Sequence, residues 1–211
     1  MYKNYSKTIV SIFFLTCESK FKEMNKTRCS WSGTDPLYMA YHDEEWGVPV
    51  YDDAKLFEFL ILETFQAGLS WITILRKREN FRKAFDNFDY KKIATYNKAK
   101  FEELITNAGI IRNKLKIKAT ISNAIAFMEI QKEFGSFSTY IWAFTNGKPI
   151  QNKWKELNEI PATTSLSDAL SKDLKLRGFK FVGPTVIYAH MQATGMVNDH
   201  IKSCFRYSQV S

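Results

Sequence analysis

Four side chains that can ligate a soft or borderline metal stand in two distant pairs. Cys29 and His42 are separated by twelve residues, His200 and Cys204 by three. The chain holds only three Cys and three His in 211 residues, so most of its ligating capacity falls into this pattern. Two thiolates and two imidazoles suit tetrahedral zinc in a closed, structural site. On a helix, the spacing of His200 and Cys204 puts both on one face, one turn apart. One such ion per chain would tie the N-terminal part of the fold to its C-terminus, as a clamp rather than a reaction centre.

A carboxylate is the second candidate. The segment DAKLFEFLILETFQ, residues 53–66, reads as a helix. At about 100° per residue, Glu58 and Glu63 point roughly 140° apart and cannot share a face. Glu58 has Lys55 near it and can face water. Glu63 falls in or beside the apolar surface of Phe59, Leu60, Leu62 and Phe65. An unpaired buried carboxylate costs several kcal/mol. Glu63 is therefore a helix-end group at the solvent boundary, half of a buried pair, or a working residue. Trp31, Tyr38, Tyr41, Trp46 and Trp71 gather nearby in sequence. Ordinary core packing is the plain reading of such residues. A carboxylate among aromatic faces is also a receptor for a flat, cationic ring.

Two glycine-bearing turns complete the inventory. Gln66-Ala67-Gly68-Leu69-Ser70-Trp71 is a tight link between helices. Arg177 to Thr185 runs helix, hairpin, helix, with Gly178 and Gly183 in the hairpin. Such a turn can aim backbone N–H groups at a phosphate, and Arg177 and Lys180 add charge. A plain interhelical turn explains the same residues. Ala108 to Lys114 is a similar case, and Arg112, Lys114, Lys116 and Lys118 form either a basic contact surface or a solvated face. No Walker loop, dinucleotide fingerprint, H-E-x-x-H helix or G-x-S-x-G elbow occurs. His190 reads as a packed residue, and Cys17 is given no role.

The elements that must position these groups are helical. Apolar spacing and caps predict helices near 35–46, 53–66, 70–85, 98–107, 112–133, 136–144, 165–177 and 184–194, with no sustained alternation to mark a sheet. Residues 146–164 read as a long irregular connection. The fold class is all-α, with residues 24–211 forming one domain of two helical lobes. Residues 1–23 read as a dispensable leader, because the apolar run Ile9 to Leu15 is too short to span a bilayer and no small-x-small cleavage site follows. No membrane segment is expected. The net charge of +8 favours a polyanionic partner, nucleic acid first. An odd cysteine count argues for a reducing compartment, the cytoplasm, over a disulfide scaffold.

Taken together, RCSW (28–31), DPLYMAYHDEEWGVP (35–49), LETFQAGLSWITIL (62–75), AGIIRNK (108–114), SDALSKDLKLRGFKFVGP (167–184) and GMVNDH (195–200) resemble the DNA-3-methyladenine glycosylase I family of bacterial base-excision enzymes. The resemblance runs from about Arg28 to Cys204. It implies a helical fold related to the helix-hairpin-helix glycosylases, with a zinc-binding subdomain joining the termini through Cys29, His42, His200 and Cys204. It places Glu63 as the pocket carboxylate and catalytic residue, Tyr41 and Trp71 as pocket aromatics, and Trp31 and Trp46 as further wall. Gly68 and Leu69 become the element that fills the gap left by an extruded base. Gly178, Lys180 and Gly183 become the phosphate-binding hairpin. Thr64-Phe65 departs from the small and polar residues expected after the glutamate, which touches pocket shape or helix packing.

The reaction so implied is hydrolytic excision of 3-methyladenine from double-stranded alkylated DNA by a monomer, leaving an abasic site. Unstacking the base costs a few kcal/mol. Alkylation at N3 already makes the base a cation, so no general acid is required, and Glu63 serves recognition and electrostatics first. Asp199 adjoins a metal ligand and is not read as a catalytic base. Thr185 to Thr194 contains no lysine, so no lyase step is expected. The alternatives are a non-catalytic, zinc-stapled helical DNA-binding module and a glycosylase of different base specificity.

Overall fold

The computed structural model describes residues 26–210; the expected leader, residues 1–23, lies outside the described residues. Asp35 opens the first helix, α1 (Pro36–Glu44), by accepting from the Leu37 and Tyr38 amides, with proline in the first turn where no donor is needed. Asp52 caps α2 (Asp53–Gln66) in the same way. Asp53 instead crosses to a later helix and accepts from the Phe137 and Ser138 amides at its start. The remaining helices are α3 (Trp71–Ala84), the single turn α4 (Tyr90–Ile93), α5 (Lys98–Thr106), α6 (Lys114–Phe134), α7 (Phe137–Ala143), α8 (Ser165–Leu176) and α9 (Pro184–Ala193). The expected helices all form; α4 is additional.

Helix α2 is the axis of the fold. Every residue from Leu56 to Phe65 is buried. It packs against α3, α6, α7 and α9, so beyond its first turn it has no water-facing side. Side chains such as Phe57, Leu60 and Phe65 each contribute roughly 1.5–3 kcal/mol by leaving water. This enclosure overturns one expectation. Glu58 does not face water: it is 9% exposed and pairs with Arg82 of α3 at 2.6 Å, with Lys55 at 3.8 Å. A single helix read alone shows a polar side; here α3 covers that side and supplies the guanidinium.

The long connection after α7 is irregular, as expected, but it is pinned. Ile150–Gln151 (β1) pairs in parallel with Val197–Asn198 (β2), a two-residue departure from an all-helical fold. The C-terminal segment is held from a second side at Gly195, whose φ is +70°. A Cβ there would lie 2.5 Å from the Val48 carbonyl carbon and the Pro49 nitrogen. Backbone thus rests on backbone, and only glycine permits it. No helix of the described residues is long and apolar enough to cross a membrane.

Candidate aromatic pocket and metal centre

A cavity of about 420 Å³ opens between α1, the ends of α2 and α3, the long connection and α9. Trp31, Tyr41, Trp46, Glu63 and Trp71, the five pocket residues expected from sequence, all line it, together with Tyr38 and Gln66. Trp31 meets Trp46 edge-on at 4.9 Å, and Tyr41 meets Trp71 at 5.4 Å between ring centroids. The rings brace one another and leave apolar faces around the cavity. The rest of the wall was not anticipated: Leu157, Ile160, Pro161 and Ala162 from the connection, and Thr185, Tyr188, Ala189 and Gln192 from α9. Tyr38 had a usable signal, since it lies three residues before Tyr41 on one helix face. Tyr188 and Gln192 stand four apart on α9 and carry the same kind of signal. The connection has no period and offered none.

Glu63 is 4% exposed, and its Oε2 is buried without a hydrogen-bond partner. Burial pushes its carboxyl up to about 8. Tyr41 is raised as well, by its own burial first and by Glu63 second. Trp71 Nε1 is likewise buried and unpartnered. The cavity therefore presents one unsatisfied acceptor and one unsatisfied donor among aromatic faces. Orphaned buried polar groups are uncommon in folded proteins, and these two belong to residues that line one cavity. The Thr64-Phe65 departure does not reach this space. Thr64 bonds the Ile61 carbonyl within its own helix, and Phe65 stacks into Phe81 and Phe85, so the change affects packing between α2 and α3.

Cys29, His42, His200 and Cys204 converge, all buried, with ligand atoms within 4.8 Å of one another. Cys204 Sγ lies 3.4 Å from His42 Nε2 and 3.5 Å from His200 Nδ1, and Cys29 Sγ lies 3.7 Å from His200 Nδ1. Ideal bonds to a central tetrahedral ion would set sulfur and nitrogen about 3.6 Å apart. The donor set fits such an ion. The imidazoles are also oriented for it. His42 turns Nδ1 to Asp43 at 2.8 Å, and His200 turns Nε2 to the Trp46 carbonyl at 3.1 Å. Each histidine thus turns its other nitrogen toward the cluster, where His42 Nε2 also accepts from the Cys29 amide at 3.3 Å. Arg28 holds Asp43 in a forked pair at 2.7 Å. Hydrogen bonding between the two thiols, with the imidazoles assisting, favours thiolate at Cys204 and drives Cys29 up.

The two glycine turns are ordered from outside. Gly68 has φ +86°, and Leu69 beside it is 41% exposed. Lys116, read from sequence as part of a basic contact surface or of a solvated face, is neither: it is 6% exposed and donates to the Phe65 and Ala67 carbonyls at 3.0 and 3.1 Å. It satisfies the open end of α2 just before the turn. In the second turn Gly178 has φ +96°. Asn123 of α6 clasps it by exchanging two bonds with the Lys180 backbone, and Ser171 donates to the Val182 carbonyl. His190 is fully buried with neither ring nitrogen bonded, as expected of a packed residue. Asp199 does not line the pocket; its carboxylate is filled by four donors.

The fold and the site define a helical protein whose aromatic cavity holds a buried carboxylate. The chain belongs to the methyladenine glycosylase family, whose model matches residues 31–207. It is 52% identical over 180 residues to DNA-3-methyladenine glycosylase 1 of Escherichia coli (strain K12), covering 85% of this chain and 96% of that one. It is 48% identical over 178 residues to the DNA-3-methyladenine glycosylase of Haemophilus influenzae, covering 84% and 96%. Among solved structures, a 3-methyladenine DNA glycosylase I superimposes with TM-score 0.83 at 52% identity, covering 85% of this chain and 98% of the other. A variant of such an enzyme in complex with 3-methyladenine superimposes with TM-score 0.82 at 36% identity, covering 84% and 96%. The family activity is hydrolysis of an N-glycosyl bond.

Proposed function

We propose that the chain takes an alkylated adenine out of double-stranded DNA, hydrolyses its N-glycosidic bond, releases 3-methyladenine and leaves an abasic site. The observation that carries this reading is the unpartnered Glu63 carboxylate buried among aromatic rings. The names of the relatives and the 3-methyladenine complex support the choice of base.

N3-alkylated adenine in DNA is a cation, so its bond to C1′ is weak. As that bond breaks, the bonding pair goes to the base, which departs neutral. Water adds to C1′ and gives its proton to solvent. Glu63 favours the cationic ring over ordinary adenine by charge and accepts from its amino edge, while Trp71, Tyr41, Trp31 and Trp46 supply stacking faces. Water leaves the pocket as the ring enters, which strengthens the charge interaction.

DNA is held by the turn between α8 and α9 in the role of a helix-hairpin-helix, with amides of Gly178 to Gly183 and Lys180 toward the phosphates. Leu69, presented by Gly68, fills the space the base vacates. Helix α9 carries no lysine, so the enzyme is monofunctional. Zinc is the ion for the Cys29, His42, His200 and Cys204 cluster; when bound it supplies structure and no chemistry at the sugar. The protein acts as a monomer in the cytoplasm.

The test is incubation of purified protein with methylated duplex DNA and chromatography of the released bases. Release of 3-methyladenine, largely lost in Glu63→Ala, is expected. A folded sample that binds DNA and releases no base would make the chain a DNA-binding module, and release dominated by another base would change the specificity.

A further inference from the structure

Asp199 precedes the cluster residue His200 and is fully buried. Its Oδ1 accepts from Asn152 Nδ2 at 2.6 Å and Trp154 Nε1 at 2.7 Å. Its Oδ2 accepts from the Tyr188 hydroxyl at 2.7 Å and Gln192 Nε2 at 2.8 Å. The first two donors stand on the connection, just before the turn that brings Leu157 and Ile160 to the cavity. The other two are themselves cavity residues. One carboxylate therefore joins the connection and α9, the two segments that complete the cavity wall.

The consequence is chemical as well as structural. A carboxylate toward these donors only accepts, so the Gln192 amide has one satisfied orientation: nitrogen to Asp199, oxygen away from it. Among the described residues no protein group bonds Gln192 Oε1. A free glutamine offers a donor or an acceptor by rotating. Tied to Asp199, Gln192 offers the cavity an acceptor. An adenine ring meets that acceptor with an amino group carrying two hydrogens, and Glu63 is a second acceptor in the same space. A ring with a carbonyl at that position brings acceptor against acceptor.

We infer that Asp199 is a positioning residue that makes Gln192 a fixed hydrogen-bond acceptor, selecting bases with an exocyclic amino group. This rests on the glycosylase reading and deepens it.

The test measures binding of free 3-methyladenine and 3-methylhypoxanthine to the whole protein by quenching of tryptophan fluorescence, with metal content recorded. Wild type should prefer 3-methyladenine. Gln192→Met keeps length and removes the carbonyl; it should lose about tenfold in affinity for 3-methyladenine while 3-methylhypoxanthine changes little, so the preference collapses. Asp199→Asn should collapse the same preference at unchanged metal content. If that variant does not fold, Gln192→Met decides alone. A merely structural role would weaken both ligands in proportion, and an unchanged ratio overturns the inference. Wild type that binds 3-methyladenine, with the ratio kept in Gln192→Met, overturns this inference only. Wild type that binds neither ring overturns the functional reading and this inference with it.

Discussion

His200 donates from Nε2 to the main-chain oxygen of Trp46 across 3.1 Å, so one hydrogen bond joins the Cys/His cluster to the aromatic pocket. Their rings also meet edge-on at 4.6 Å. His42, next to the pocket residue Tyr41, adds a second link. The cluster is adjacent to the pocket wall.

Purified protein should therefore carry about one equivalent of zinc by emission spectrometry. Cys204→Ser should lose most of it and lower the melting temperature on the order of 10 °C, since several kcal/mol of binding energy leave with the ion. Base release should fall along with stability. Full metal retention in that variant would rule out the four-residue site.

Glu63 sets a pH dependence whose sign follows from its raised value. In the free enzyme the carboxyl titrates near 8, and a cationic base favours the ionised form. The kcat/KM on methylated DNA should climb as pH rises toward 8 and level off above it, because that parameter reports the free enzyme. Glu63→Gln should lower it and flatten the profile. A wild-type profile flat from pH 6 to 9 would remove Glu63 from recognition of charge.

The same shift acts on stability. The folded value near 8 exceeds the ordinary 4.5, so the folded state binds the proton more tightly than the unfolded one. The stability this confers is whole below about 4.5 and is lost as pH rises through 8. At pH 8.5 Glu63→Gln should be more stable than wild type by on the order of 3–5 kcal/mol, with little difference at pH 4.5. Chemical denaturation at both pH values checks this.

His190 carries the opposite signature. Burial lowers its imidazole from 6.5 to about 3. Stability from the neutral ring is complete above 6.5 and drains away as pH falls toward 3, by up to about 1.4 kcal/mol per pH unit. His190→Phe should hold its melting temperature better than wild type between pH 6.5 and 4.5. Parallel curves would show that His190 is protonated in the fold.

Lys116 separates turn geometry from base binding. Lys116→Met leaves the Phe65 and Ala67 carbonyls without their donor, at a cost of about 1–3 kcal/mol. Excision from duplex DNA should drop several-fold, since Leu69 is presented by the turn that follows. Affinity for free 3-methyladenine should stay within about twofold, being set by contacts inside the pocket. Equal losses in both assays would show that Lys116 supports the pocket instead.

Helix positions were readable along the chain because their causes are local. The Asp35 cap, the Pro36 start and the apolar spacing of residues 53–66 act within one or two turns. The metal ligands were readable for another reason: few residue types bind soft ions, and the chain has few of them. Glu63 was visible as a carboxylate on an apolar surface, but its helix alone left three outcomes open. Packing chose among them, placing Arg82 against Glu58 and nothing against Glu63 Oε2.

By itself, then, the sequence determined which segments are helical, which four side chains can bind a metal and which carboxylate lies on an apolar surface. Only the tertiary structure decided that Cys29 and His200 meet across 171 positions, that Lys116 closes α2, and that Asp199 gathers Asn152, Trp154, Tyr188 and Gln192. The physical reason is range. Dihedral preference and periodicity act over a few residues, whereas these contacts exist only once burial has brought distant segments together and left their polar atoms no partner but one another.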